Sequence, residues 1–341
     1  VVHRREEVTA CGFVGIVGLL IALQPLAFDV SKASDWPARR AEILRGMQSA
    51  MGELPKEGGP LTVKIIETRK LRHYTLTRLT YEGAEGDRVP AWLLVPHSKP
   101  PEGKWPAVLC LHQTIAIGKD EPAGLGKNAD LAYAHHLAER GYVTLAPDYP
   151  SFGEYRTDFT TSKFPSGSMK AIANNRRAID LLCERPDVDA SRLGVIGHSL
   201  GGHNALFTAA FDTRLRACVS NCGFTSFPKY YGGKIAGWTS DRYMPRLKTV
   251  YKLDPKRVPF DFPQVLAAIA PRAVLASAPV GDDNFAVDGV RDCIAAAKPI
   301  YRLLKAEDNL QANYPDCKHA FPAEARKVAY DFLDRHLTKP R

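Results

Sequence analysis

Four short apolar runs without alternation constrain what this 341-residue chain can fold into. They are AVLCLH (107–112), YVTLAP (142–147), LGVIG (193–197) and AVLASAP (273–279). A strand with a polar face can leave that face in water, whereas a run with no polar face must be covered on both sides. Segments of helical periodicity lie between and after these runs. They cover 130–140, stopped by Gly141, then 168–184, ended by Pro186, a small-residue helix directly after 197, then 290–304 and 323–336. A short last strand ends at 313–315. Such alternation predicts an α/β architecture with a mostly parallel central sheet, right-handed crossovers and helices on both faces. Ahead of it, 61–67, 74–83 and 89–96 read as strands, which predicts antiparallel partners at one edge of the sheet. A helix is predicted over 35–54, with Asp35 as its cap and Pro37 in its first turn.

The chain opens with His3, Arg4 and Arg5, and 10–28 carries no charge. A basic start before an apolar run of this length reads as a signal peptide or a single N-terminal anchor. The expectation is a periplasmic or secreted protein whose only route to a membrane is residues 1–30. A misassigned start within 1–34 would leave it cytoplasmic. Residues 31–60 are then an N-terminal helical segment, and 61–341 one α/β domain. An insert at 223–262, rich in aromatic and basic residues, interrupts the rhythm and is too long for a simple connector.

Lys plus Arg number 46 and Asp plus Glu 37, a net charge of +9. The basic residues are scattered. Their densest run, Arg69, Lys70, Arg72 and His73, falls between two strands and reads as a solvated turn. No nucleic-acid motif is present, so no nucleic-acid partner is expected. The seven cysteines are too few for a disulfide scaffold and form no CxxC pair, so no zinc site of the usual spacing follows. Cys110 reads as a core residue. Cys218 and Cys222 read as sharing a strand, too far apart to bridge.

The chemistry is carried by Gly197-His198-Ser199-Leu200-Gly201-Gly202, directly after a buried strand. A nucleophilic serine needs a sharp strand-to-helix turn to present its hydroxyl, and glycines on either side let the chain pack around it. The backbone N–H of Leu200, at the start of the helix, can face a developing oxyanion. The backbone N–H of Gln113, in the loop after the first buried strand, is the second expected donor. A serine hydroxyl needs a base, and in this order of elements the acid and then the histidine follow. His203 comes too early, and His336 reads as a surface residue. His319, in a loop between the last strand and the last helix, is the expected base. The acid belongs after the strand ending near Pro279. Asp282 is the first choice, Asp283 the alternative and Asp288 a distant third. His112 reads as a core or supporting residue. The pair His135-His136 reads as partly exposed and not metal-binding.

Taken together, the strand into LHQT, APDYPSFGE (146–154), GHSLGG (197–202), APVGDDNF (278–285) and CKHAFP (317–322) resemble the α/β-hydrolase superfamily. The resemblance runs from about residue 61 to 337 and points to the dienelactone hydrolase-like and acetyl xylan esterase-like branch. It implies Ser199, Asp282 and His319 as a catalytic triad. Two departures matter: Ser199 stands where dienelactone hydrolases carry cysteine, and the RGQ segment of cephalosporin-deacetylase-type acetyl xylan esterases is absent. The expected activity is hydrolysis of carboxylic esters through an acyl-enzyme, on carbohydrate-linked or aryl esters, with no metal or organic cofactor. Tyr149, Tyr230, Tyr231, Trp238 and Phe285 are expected to wall the substrate pocket. A small-molecule or carbohydrate ester is the expected partner, and the sequence carries no signal for an oligomeric state. Alternative readings are a serine peptidase or amidase, on the similarity to prolyl-oligopeptidase catalytic domains, and a non-catalytic binding protein on a hydrolase fold.

Overall fold

The computed structural model describes residues 28–55, 61–100 and 103–338. The signal-peptide or anchor segment therefore lies outside the described residues, apart from its last residues. Of these, Phe28 packs edge-on against Trp36. No helix among the described residues is long and apolar enough to cross a membrane.

Nine strands form one sheet: β1 (Val63–Lys70), β2 (Tyr74–Glu82), β3 (Arg88–Pro96), β4 (Trp105–Leu111), β5 (Val143–Pro147), β6 (Val188–His198), β7 (Leu215–Asn221), β8 (Ala273–Ser277) and β9 (Leu310–Asn313). Their order is β1-β2-β3-β5-β4-β6-β7-β8-β9. The first three strands pair antiparallel with one another, and β3 pairs antiparallel with β5. Every pair from β5 to β9 is parallel.

The helices are α1 (Trp36–Met51), α2 (Tyr133–Glu139), α3 (Gly167–Glu184), α4 (Leu200–Phe211), α5 (Arg246–Thr249), α6 (Phe262–Ile269), α7 (Val287–Leu303) and α8 (Ala323–Leu337). Successive residues of a strand face opposite sides, and the apolar runs fill two cores accordingly. Ala107, Leu109, Leu193 and Val195 join the core under α1, α3, α4, α6 and α7. Their neighbours Val108, Cys110 and Ile196 join the core under α2 and α8. This two-sided cover is why those strands have no polar face.

Local differences from the sequence reading have local causes. A 3₁₀ turn at Ala33–Asp35 precedes α1, so Asp35 already has helical backbone angles and its side chain makes no cap bond. The helix stops at Met51, where Gly52 takes φ 109°. The helix expected over 130–140 shortens to α2, because 129–131 form a 3₁₀ turn capped by the Asn128 side chain. Cys218 lies on β7, but Cys222 lies just beyond it with φ 48°. His336 is half-buried, not surface, with its ring 4.6 Å from that of Phe332.

The insert at 223–262 is packed rather than open. Phe224, Phe227, Trp238, Phe260 and Phe262 are all buried and join the larger core. Their rings meet at 5.0–5.9 Å, stacked or edge-on. Arg69, Lys70, Arg72 and His73 are exposed around the β1–β2 turn, as expected.

Candidate active site

Parallel strands end on one side of the sheet, so the loops leaving β4 to β9 gather there. Ser199 occupies the junction of β6 and α4. Its backbone, φ 54° and ψ −116°, lies where residues with a side chain are rarely found. Close packing holds it there. A Cβ on Gly197 would lie 2.1 Å from the Gly201 carbonyl oxygen, and one on Gly201 would lie 1.8 Å from that of Leu111. The first turn of α4, with the Leu200 amide, is thus pressed onto the chain leaving β4, where Gln113 follows two residues on. Leu200 itself is buried against Tyr149 and Phe152.

His319 sits between β9 and α8. Its Nδ1 lies 2.9 and 3.0 Å from the two carboxylate oxygens of Asp282. Asp282 is buried, and its Oδ1 also accepts the backbone N–H groups of Asn284 and Phe285 at 2.9 and 3.1 Å. Burial favours the neutral carboxyl. The hydrogen bond and charge of His319, together with the two amides, outweigh it and hold Asp282 below the usual carboxylate range. Asp283 and Asp288 are exposed. The ring of His319 lies 4.9 Å from that of His198, the residue before Ser199.

Three supporting groups carried no signal recognised in the sequence. Asn221, at the end of β7 and fully buried, donates from Nδ2 to His198 Nδ1 at 2.7 Å and to the Ala320 carbonyl at 3.1 Å. An amide nitrogen only donates, so His198 Nδ1 accepts and the ring is neutral. Burial, then the neighbouring His319, pushes its pKa down to about 3. Asp148, at the end of β5, accepts the Lys119 and Glu154 amides at 2.8 and 2.9 Å and pairs with the Lys119 ammonium at 3.2 Å. It locks the loops after β4 and β5 together. The third group is Cys222, a buried thiol that donates to the Ala320 carbonyl at 3.4 Å. Burial, then Asp282, raises its pKa strongly.

His112 is a buried supporting residue. Its Nε2 accepts the Tyr149 amide at 2.9 Å, which leaves Nδ1 to donate to the Gln113 carbonyl at 2.6 Å. That bond orients the peptide next to Gln113. Burial lowers the pKa of His112 to about 4. The Gln113 side chain donates to Glu121 at 3.0 Å. His135 and His136 are half-buried and bond Tyr74 and Tyr330.

The five expected pocket residues divide. Tyr149, Tyr230, Trp238 and Phe285 are buried and present no open faces. Tyr230, Trp238 and Phe285 form one ring cluster, and Phe285 lies 5.9 Å from His319. Tyr231 remains 55% exposed, edge-on to Tyr230, with its hydroxyl donating to the Asn284 side chain at 3.1 Å.

The model of the alpha/beta hydrolase family matches residues 108–333. A Bacillus subtilis relative, YtaP, is 30% identical over 199 residues. That match covers 54% of this chain and 64% of the relative's length. The 4-O-methyl-glucuronoyl methylesterase 1 of Wolfiporia cocos is 24% identical over 92% of this chain and 80% of its own. Among solved structures, a glucuronoyl esterase from Solibacter usitatus aligns with a TM-score of 0.73 and 19% identity. The alignment covers 92% of this chain and 97% of that one.

Proposed function

The chain belongs to the alpha/beta hydrolase family, and from that premise we propose that it is a serine carboxylic-ester hydrolase acting on carbohydrate-linked esters. The observation that carries the reading is the Asp282–His319 hydrogen bond, with the His319 ring 4.9 Å from that of His198, the residue before a serine held on a strained strand-to-helix turn. In this reading Ser199 Oγ attacks the ester carbonyl while His319 Nε2 takes its proton. The ionised Asp282 holds Nδ1–H and stabilises the imidazolium that forms. The amides of Leu200 and Gln113 receive the oxyanion. His319 returns the proton to the leaving alcohol, and water then releases the acid by the same route. In this reading Tyr231, exposed beside Tyr230, meets a sugar face. The sugar-ester assignment draws its support from the likeness to a methylesterase and a glucuronoyl esterase across nine-tenths of the chain. The same likeness favours export of the protein to where such esters occur.

A substrate panel tests this directly: a methyl uronate ester, an acetylated xyloside, a nitrophenyl ester and the matched anilide. The expected result is turnover of the esters, abolished in Ser199→Ala. Anilide turnover matching that of the nitrophenyl ester would move the assignment to a peptidase or amidase. Sugar binding without turnover of any ester would indicate a binding protein.

A further inference from the structure

We propose that Cys222, Asp282 and His319 form an inhibitory site for a thiophilic divalent cation such as zinc. The proposal rests on the reading of His319 as the base for Ser199. Each residue offers one ligand atom, and among the described residues these atoms make a cluster lying within 4.8 Å of one another. Zinc binds thiolate, imidazole and carboxylate together in tetrahedral sites at about 2.0–2.3 Å, which sets its ligand atoms about 3.3–3.7 Å apart. His319 Nδ1 and Asp282 stand 2.9–3.0 Å apart, so they have to part by only about half an ångström. The sulfur therefore has to draw in by at most roughly an ångström.

The backbone that carries Cys222 is held in place, so the approach of the sulfur is a matter of its side-chain rotation. Cys222 has φ 48°, unusual for a residue with a side chain, and its amide donates to the Ser277 carbonyl at 2.9 Å. The next residue, Gly223, is packed so tightly that a Cβ there would lie 2.2 Å from Ser220 Oγ. Such strain persists where the surroundings over-determine it. The His319 side chain is 23% exposed, so an ion can enter past it, while Cys222 and Asp282 close the buried side. Water would complete the coordination.

The consequence follows from proton balance. With His319 acting as base, Nδ1 carries the proton and Nε2 the free lone pair. A cation on the Nδ1 lone pair moves that proton to Nε2, and the thiol releases its proton to solvent. The two anionic ligands neutralise the dication. His319 then has no lone pair with which to take the serine proton. Inhibition therefore lowers kcat and leaves KM little changed.

The test uses metal-free protein titrated with Cd2+, whose thiolate complexes absorb in the ultraviolet. Absorbance, bound stoichiometry and ester turnover are followed together. The expected result is one Cd2+ per chain, with the charge-transfer band rising as activity falls and EDTA reversing both. Cys222→Ala should lose the band, and its own metal-free turnover is the baseline against which its inhibition is read. Its half-inhibiting Cd2+ concentration should rise by at least the roughly 10–100-fold that losing a supporting group around a metal costs. A Cys183→Ala/Cys317→Ala variant should behave as the parent does, and Cys222→Ser replaces Cys222→Ala if the latter does not fold. The proposal is overturned if the parent gives no band, if the band survives in Cys222→Ala, or if that variant is inhibited at parental concentrations. A band that depends on Cys222 in a protein that hydrolyses no ester would keep the site and retract the catalytic reading.

Discussion

At the scale of single residues, two adjacent aspartates have different surroundings. Asp282 lies buried on His319 with two amides on one oxygen, and Asp283 faces solvent. Asp282→Asn is therefore expected to lower kcat by about 10⁴, the scale set when a triad acid loses its charge. Asp283→Asn should leave kcat within about twofold, since exposed changes away from a site cost little. Steady-state kinetics on one ester would rank them, and the reverse order would transfer the acid role. Asn221→Ala should lower kcat without raising KM, because it frees His198 and the Ala320 carbonyl but touches no substrate. The place of Ser199 at the β6–α4 turn and the pairing of Asp282 with His319 were legible because their order along the chain follows from the order of the elements. Asn221 and Cys222 were not legible. Their importance comes from β7 delivering them under a loop 99 residues away, a contact that no local pattern records.

At the scale of elements, the unalternating runs identified the buried strands because two-sided burial removes their polar face. β7 was read as a strand through its cysteines but not as one of the apolar runs, because polar positions interrupt it: Arg216 is half-exposed, and Ser220 and Asn221 are buried polar residues at its end. Helix α6 was hidden behind Pro263 at its start, directly after the aromatic-rich insert. The helix that backs the site begins at Ser166, whose hydroxyl accepts the Met169 amide at 3.0 Å and donates to the Met51 carbonyl at 2.6 Å. Ser166→Ala is expected to cost about 1–2 kcal/mol, the upper part of the range for a lost helix cap. Urea denaturation followed by far-ultraviolet circular dichroism measures it. Gly201→Ala should be worse for both stability and turnover, because its Cβ would meet the Leu111 carbonyl oxygen at 1.8 Å. That contact is backbone against backbone and cannot be relieved by a rotamer.

At the scale of the molecule, neutral histidines, three buried and one half-buried, set an acid limit. His112 and His136 are lowered to about 4, and His198 and His203 to about 3, each chiefly by burial. An unfolded imidazole titrates near 6.5. Between about 6.5 and about 4 the unfolded chain thus binds protons that the folded one refuses, so stability falls as pH falls through that window. Asp282 adds to the loss only lower still, below the usual carboxylate range, where its depressed folded value is crossed. Melting temperature against pH should show this slope, and His203→Phe should reduce it, since His203 is ringed by Phe207, Trp238 and Tyr243. The central claim is that Ser199 is a nucleophile activated by His319 and Asp282. The most direct measurement is intact-mass and peptide analysis after exposure to a fluorophosphonate. The account predicts one adduct per chain, on Ser199, with labelling lost in Ser199→Ala and slowed severely in His319→Ala and Asp282→Asn. An adduct elsewhere, or labelling at an unchanged rate without His319, would contradict it.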